Sequence, residues 1–242
     1  MALSKIREVG NAWAKVFGPF PEDYVTFDTE TSGLDSDRDV IIQIGWCKVV
    51  RRKVVENKAI IMNWRPVLDD AEFQILANRL QKTSNSMAGK GHDFLWSMDT
   101  MVKNGVPPIE AFSQFAKVLS RSPVLVGHNI WRHDYKFVDR CSRRLTQRPI
   151  GIPDTRMFDT MSIVKAGQSG ATPITGDSYR SYSDRAANAG GNKYKCSLDR
   201  FCVEALELDK DYGVDVTKMH DAGYDAWVTA LLVEQLRKLM FS

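Results

Sequence analysis

The sequence predicts an α/β fold, a mixed five-stranded sheet with helices on both faces. Three observations predict it. Three strand-like runs joined by short links come first, helical and strand-like runs then alternate, and two helical runs close the chain. The 242 residues carry no internal repeat and no strong linker, so residues 23–242 are read as a single domain behind a helical extension, residues 1–22.

That extension rests on Leu3, Ile6, Val9, Trp13, Val16 and Phe17, which recur at helical spacing. A transit peptide shares the pattern, but Glu8 and the heavy aromatic rings fit a helix docked on the body better. After the Gly18-Pro19-Phe20-Pro21 breaker, Tyr24 to Asp28 reads as a strand ending in carboxylates. Val40 to Val50 and Lys53 to Trp64 follow, linked by a basic turn at Arg51 and Arg52, which gives an antiparallel meander. From Leu68 the period becomes helical, with Phe73, Leu76 and Leu80 on one face. A further helix opens at Pro108, where proline is acceptable as the first helical residue, and carries Ile109, Phe112, Phe115, Ala116 and Leu119. Val124 to Val126, bounded by Pro123 and Gly127, reads as a buried strand. A helix from Trp131 to Leu145, a weaker strand at Arg156 to Phe158 and a short helix ending before Gly167 come next. Gly167 to Asn192 is rich in serine, glycine, asparagine and threonine, and a long polar loop at about 167–195 is expected there, a lid whose removal would alter substrate affinity more than folding. The closing helices are Ser197 to Leu206 and Asp221 to Leu239.

Composition narrows the class of function. Thirty-three basic against thirty acidic residues leave a net charge of +3, and 43% of side chains are apolar. This excludes a tail-like polycation and a disordered chain. The four cysteines form no C-x-x-C pair and no secretory signal precedes them, so reduced thiols and a cytoplasmic or other intracellular setting are expected. No run approaches the roughly 18 consecutive apolar residues of a membrane span.

Asp28-Thr29-Glu30 puts two acids on alternate positions of an extended segment, hence on one face. Facing acids repel unless a cation or a proton intervenes, and carboxylate oxygens suit Mg²⁺ or Mn²⁺. An isolated D-x-E is more often a solvated turn. Further along, Gly127-His128-Asn129 ends a buried strand, and Asp134 falls near the start of the next helix, where it also suits the helix dipole. His220 is placed in the loop before the last helix, Asp221 at its N-cap and Asp225 in its first turns; His220 alone fits a packed or capping histidine equally well.

Together the segments resemble the DnaQ-type exonucleases, the DEDDh branch of the ribonuclease H-like fold. Phe27-Asp28-Thr29-Glu30-Thr31-Ser32-Gly33-Leu34 followed by Val40-Ile41-Ile42-Gln43-Ile44-Gly45 resembles the first motif. Gly127-His128-Asn129 with Asp134 resembles the second, and His220 with Asp225 the third; Asp159-Thr160 and Ser197-Leu198-Asp199 fall in the family's order. Asp134 stands one residue further from Asn129 than in the common proofreading subunits, and the 167–192 stretch is longer than the usual connection.

The resemblance implies a ribonuclease H-like fold, two Mg²⁺ or Mn²⁺ ions held by Asp28, Glu30, Asp134 and Asp225, and His220 as general base. It implies nucleic-acid contacts from Thr31, Gly33, Leu34, His128 and Asn129, with Leu34 against the terminal bases. Arg132, Lys136, Arg140 and Arg143 or Arg144 recur at helical spacing and read either as a phosphate track or as a solvated face. The expected activity is 3′ to 5′ exonucleolytic release of nucleoside 5′-monophosphates, with single-stranded DNA favoured. An RNA-trimming or oligoribonucleotide nuclease and a catalytically silent polymerase-accessory module are the alternatives. The intact acid set and His220 count against the silent module, and nothing indicates a polymerase or membrane partner.

Overall fold

A computed structural model describes residues 3–88 and 97–242. The chain begins with α1 (Ile6–Val16), whose Ile6, Val9 and Trp13 are buried against the body. β1 (Tyr24–Thr31), β2 (Ile41–Val50) and β3 (Lys53–Ile61) form the expected antiparallel meander. Arg51 and Arg52 both take positive φ (48° and 64°), the backbone of a two-residue hairpin whose twist matches its strands. α2 (Asp70–Ala88), α3 (Met98–Asn104) and α4 (Pro108–Arg121) precede β4 (Leu125–Gly127), and α5 (Asp134–Thr146) precedes β5 (Met157–Asp159). β4 and β5 add in parallel, giving the five-stranded order β3-β2-β1-β4-β5. α6 (Thr160–Ser169), α7 (Tyr179–Asn188), a π-helical turn (Leu198–Cys202), α8 (Val203–Ala205), α9 (Leu208–Tyr212) and α10 (Ala222–Phe241) complete the chain.

Strand alternation splits the interior into two layers. Tyr24, Cys47, Val126 and Phe158 face α1, α6, α7 and α10, while Val25, Phe27, Ile44, Trp46 and Leu125 face α4 and α5. At about 25 cal/mol per Å² of apolar surface removed from water, these layers are the main stabilising contribution. The four cysteines are free, and no helix among the described residues is long and apolar enough to cross a membrane.

Several boundaries differ from expectation for local reasons. β1 continues past Asp28 to Thr31, so both acids of the first motif lie within the strand. β3 stops at Ile61, because Trp64 turns inward and its indole donates to the Ile41 carbonyl (2.6 Å). α5 starts at Asp134, three residues after Trp131, because Asn129 sits at φ +65° and residues 130–133 are a turn. α3 and α9 have no periodicity long enough to announce them.

The largest correction concerns the polar stretch. α6 passes through Gly167 and stops at Gly170 (φ +83°); Gly167 makes room for α1, since a Cβ there would lie 2.8 Å from Leu3 Cδ2. Within the predicted loop, Ser178 and Ser181 form a capping box that starts α7, and Tyr182, Ala186 and Ala187 bury its inner face. Serine acts here as a helix cap, where composition alone suggests a loop.

Candidate active site

β1 and β4 are parallel neighbours whose chains leave in opposite directions, β1 toward β2 and β4 toward β5. Crevices beyond the carboxyl ends of such strands are where α/β sheets place ligands. Asp28 and Glu30, two apart on β1, share the face covered by α10 and are both partly exposed. The pairing of β1 with β4 ends at Thr26 and Val126. Beyond it the carboxylate of Asp134, the first residue of α5 and only 2% exposed, receives Thr29 N (2.9 Å) and Thr29 Oγ1 (2.7 Å) on one oxygen.

The third segment arrives with α10. Asp221 caps the helix, accepting from Tyr224 N (2.9 Å), and Asp225 in the first turn accepts His220 N on Oδ2 (3.1 Å). His220 holds φ +72°, so the chain reverses sharply there before the helix. The other oxygen of Asp225, Oδ1, is buried with no hydrogen-bond partner among the described residues. Ligand atoms of Glu30, His220 and Asp225 lie within 4.8 Å of one another.

Electrostatics tie the remaining acids to this cluster. Burial chiefly, and then the charges of Asp134, Asp225 and Asp221, push the Asp28 carboxyl well above its ordinary range. Glu30 is raised in the same way by burial and by Asp28, Asp134 and Asp221, and Asp225 by burial and by Glu30. Asp134 is raised less, since His133 and the two Thr29 bonds favour its charged form. Such a pocket holds protons when nothing else neutralises it, and a divalent cation can take their place. Asp225 Oδ1 supplies a ready donor, and carboxylates with one imidazole suit Mg²⁺ or Mn²⁺.

Other predicted contacts fall in varied settings. Thr31 Oγ1 donates to Gly33 O (2.6 Å), and a Cβ on Gly33 would overlap the Asp39 carboxylate, so this turn is held tightly. Leu34 beside it is 89% exposed at the rim, open to a ligand. His128 is engaged internally: Nε2 lies 2.6 Å from Cys196 O and Nδ1 3.0 Å from Thr160 Oγ1, and burial lowers its pKa to about 4. Both ring nitrogens are thus engaged within the chain. Asn129 N donates to Asp159 Oδ1 (2.8 Å).

The basic face of α5 is largely neutralised. Arg140 pairs with Asp37, Arg143 with Asp139 and Arg144 with Glu72, while Arg132 donates to Asn188 Oδ1 (2.6 Å). Lys136 is exposed without an ion pair among the described residues.

Sequence reasoning assigned no role to Thr29 or to the charge of Asp221, and only a family position to Asp159. Asp159 accepts Asn129 N and Met161 N (2.8 and 2.9 Å), joining the turn after β4 to the start of α6; burial raises its pKa to about 7. A polar residue at an apolar position of a strand was the available signal for Thr29 and Asp159.

Residues 25–191 match the RNase_T family model, described as "Exonuclease". No curated protein sequence matches the chain. Among solved structures, the chain resembles E. coli exonuclease I bound to single-stranded DNA and zinc, at 13% identity and a TM-score of 0.59 over 90% of this chain and 41% of that one. The same enzyme with a dA16 oligonucleotide gives 14% and 0.59, covering 91% and 42%. A moderately thermophilic exonuclease I from Methylocaldum szegediense gives 16% and 0.55, covering 89% and 40%. The chain therefore spans about two-fifths of the length of these exonuclease I chains. At such identities the likeness establishes the shared α/β architecture.

Proposed function

The chain belongs to the RNase_T exonuclease family, and from that premise we propose that it is a metal-dependent 3′ to 5′ exonuclease of the DEDDh type, releasing nucleoside 5′-monophosphates with single-stranded DNA favoured. The observation that carries this reading is the buried, unpartnered Oδ1 of Asp225 inside a pocket of mutually repelling carboxylates. Asp28, Glu30, Asp134 and Asp225 would hold two Mg²⁺ or Mn²⁺ ions. Such ions, when bound, activate water and stabilise the leaving oxygen of a phosphodiester.

The chain's own groups supply the rest. His220, half-buried beside Glu30 and Asp225, takes the proton of the attacking water. Leu34, exposed on a stiff turn, meets the terminal base by apolar contact, which tolerates any base. Asn129, before the turn that leads to Asp134, and the exposed Lys136, in the first turn of α5, are placed to meet the backbone of the strand, with Arg132 joining them once released from Asn188. Single-stranded DNA bound to E. coli exonuclease I supports the choice of strand.

The test is digestion of 5′-labelled single-stranded DNA, duplex, mismatched ends and RNA side by side with Mg²⁺, Mn²⁺ and EDTA. Metal-dependent shortening of the DNA from its 3′ end is expected. Preferential loss of the RNA would reassign the substrate, and binding without cleavage under every metal would leave a non-catalytic module.

A further inference from the structure

We propose that Gln43 and Asp221 form a clasp that positions His220 for the hydrolysis proposed above, on which this inference rests. Register is the starting point. β1 and β2 pair Glu30 with Gln43 and Asp28 with Gly45, so the two residues facing the first-motif acids lie on the same face of the sheet, beneath the start of α10.

Both residues face the chain beside His220. Gln43 Nε2 donates to Asp221 Oδ2 (2.8 Å), while Gln43 Oε1 accepts from Ala222 N (2.7 Å). Asp221 Oδ1 meanwhile caps the helix through Tyr224 N. At Gly45 a Cβ would overlap the backbone of Ala222 and Gly223, which no side-chain rotation relieves. One residue binds the helix start and the other lets it come close.

Gln43 is 3% exposed, at a position where an apolar residue would serve the sheet without any polar cost. Its amide is satisfied by these two partners on the His220–Ala222 turn, so its burial is compensated when that turn is in place. His220 occupies a left-handed backbone conformation and is joined on one side directly to the clasped Asp221. Loosening the clasp frees a residue whose catalytic use depends on placement, where an error of about 1 Å can cost about 10²-fold in rate. Gln43 and Asp221 are thus positioning residues, acting through His220.

A donor–acceptor exchange tests the clasp. Gln43→Glu alone sets two carboxylates together, and Asp221→Asn alone sets two amide groups together while keeping a good N-cap. In the double variant the carboxylate introduced at position 43 would accept from both Ala222 N and the amide introduced at position 221, restoring the pattern with the charge total unchanged. On 5′-labelled single-stranded DNA with Mn²⁺, each single change should lower kcat by about 10-fold or more with KM within about twofold, and the double variant should recover most of kcat. In the metal-free protein, the Ala222 amide should exchange with solvent faster, and the His220 imidazole NMR signals should move, in Gln43→Leu and in each single variant, and return in the double. Singles that keep kcat and Ala222 protection, or a double no better than its parents, overturn the proposal. A wild-type chain inert on every strand would defeat the exonuclease reading, while amide exchange and the imidazole signals would still decide whether the clasp holds the turn.

Discussion

Thr29 gives both its backbone N–H and its hydroxyl to the same oxygen of Asp134, at 2.9 and 2.7 Å. Where β4 parts from β1, a side chain of α5 thus completes what the ladder leaves open, and the second motif is fastened to the first. A hydrogen bond to a charged group contributes about 1.5–3 kcal/mol. Thr29→Val keeps the shape and the backbone bond but removes the hydroxyl, so Asp134 should hold its proton more tightly. Calorimetric titration at pH 7 should then show Mn²⁺ affinity reduced by about 10-fold, with Thr29→Ser near wild type. Equal affinities for Val and wild type would remove Asp134 from the ligand set.

The crowded acids give a stability signature opposite to that of a salt-bridged carboxylate. The Asp28, Glu30 and Asp225 carboxyls are raised well above their ordinary values, chiefly by burial. The folded, metal-free protein therefore binds protons more tightly than the unfolded chain. Stability is highest below about pH 4 as far as these groups are concerned, and is lost as pH rises from there toward their folded-state values. Asp28→Asn should raise the metal-free Tm by about 2–4 °C for each kcal/mol of relieved repulsion, while abolishing turnover. Scanning calorimetry in EDTA checks it, and a Tm lower than wild type at pH 8 would contradict the assigned repulsion.

His128 and His220 have different surroundings. His128 is half-buried, its pKa lowered to about 4 by desolvation, and engaged at both ring nitrogens, whereas a ring nitrogen of His220 lies within 4.8 Å of Glu30 and Asp225 carboxylate oxygens. His220→Gln should lower kcat by about 10²- to 10⁴-fold and flatten the rise of kcat with pH. His128→Phe should leave the shape of that pH profile intact. A normal acidic limb in His220→Gln removes His220 as the base.

What the sequence conveyed follows from locality. Asp28, Glu30, Asp134, His220 and Asp225 were legible because each belongs to a short local motif on or beside a strand or helix, and the resemblance to the DnaQ-type exonucleases, more than spacing, joined those motifs into one proposed site. The succession of strands along the chain, with its opening meander, followed from short links and apolar runs. The supporting bonds were hidden because each joins distant segments: Thr29 to Asp134 spans 105 residues, and Asn129 to Asp159 spans 30. The ion pairs of the α5 arginines were hidden for the same reason, since two of their acids, Asp37 and Glu72, come from elsewhere in the chain. α7 was missed because its polar face dominates its composition, while Tyr182, Ala186 and Ala187 decide its burial.

The burial of α7 changes what its removal should do. Trp13 of α1, fully buried, lies against Phe17, Phe20, Phe158, Tyr179 and Tyr182, so one indole joins the N-terminal helix, β5 and α7. Lys165 Nζ donates to Ala187 O (2.9 Å) and Ser162 Oγ to Ser183 O (3.1 Å), fastening α7 to α6 from within. Deleting residues 171–190 should therefore abolish cooperative folding, contrary to the expectation for a mobile lid. Trp13→Ala, at about 3–5 kcal/mol for a large ring removed from a core, should lower Tm by roughly 10 °C. The KM of its folded fraction for single-stranded DNA should stay within about twofold of wild type, since the ring partners of Trp13 include none of the proposed site residues. A deletion variant that unfolds at the wild-type temperature, with only its KM altered, would restore the lid.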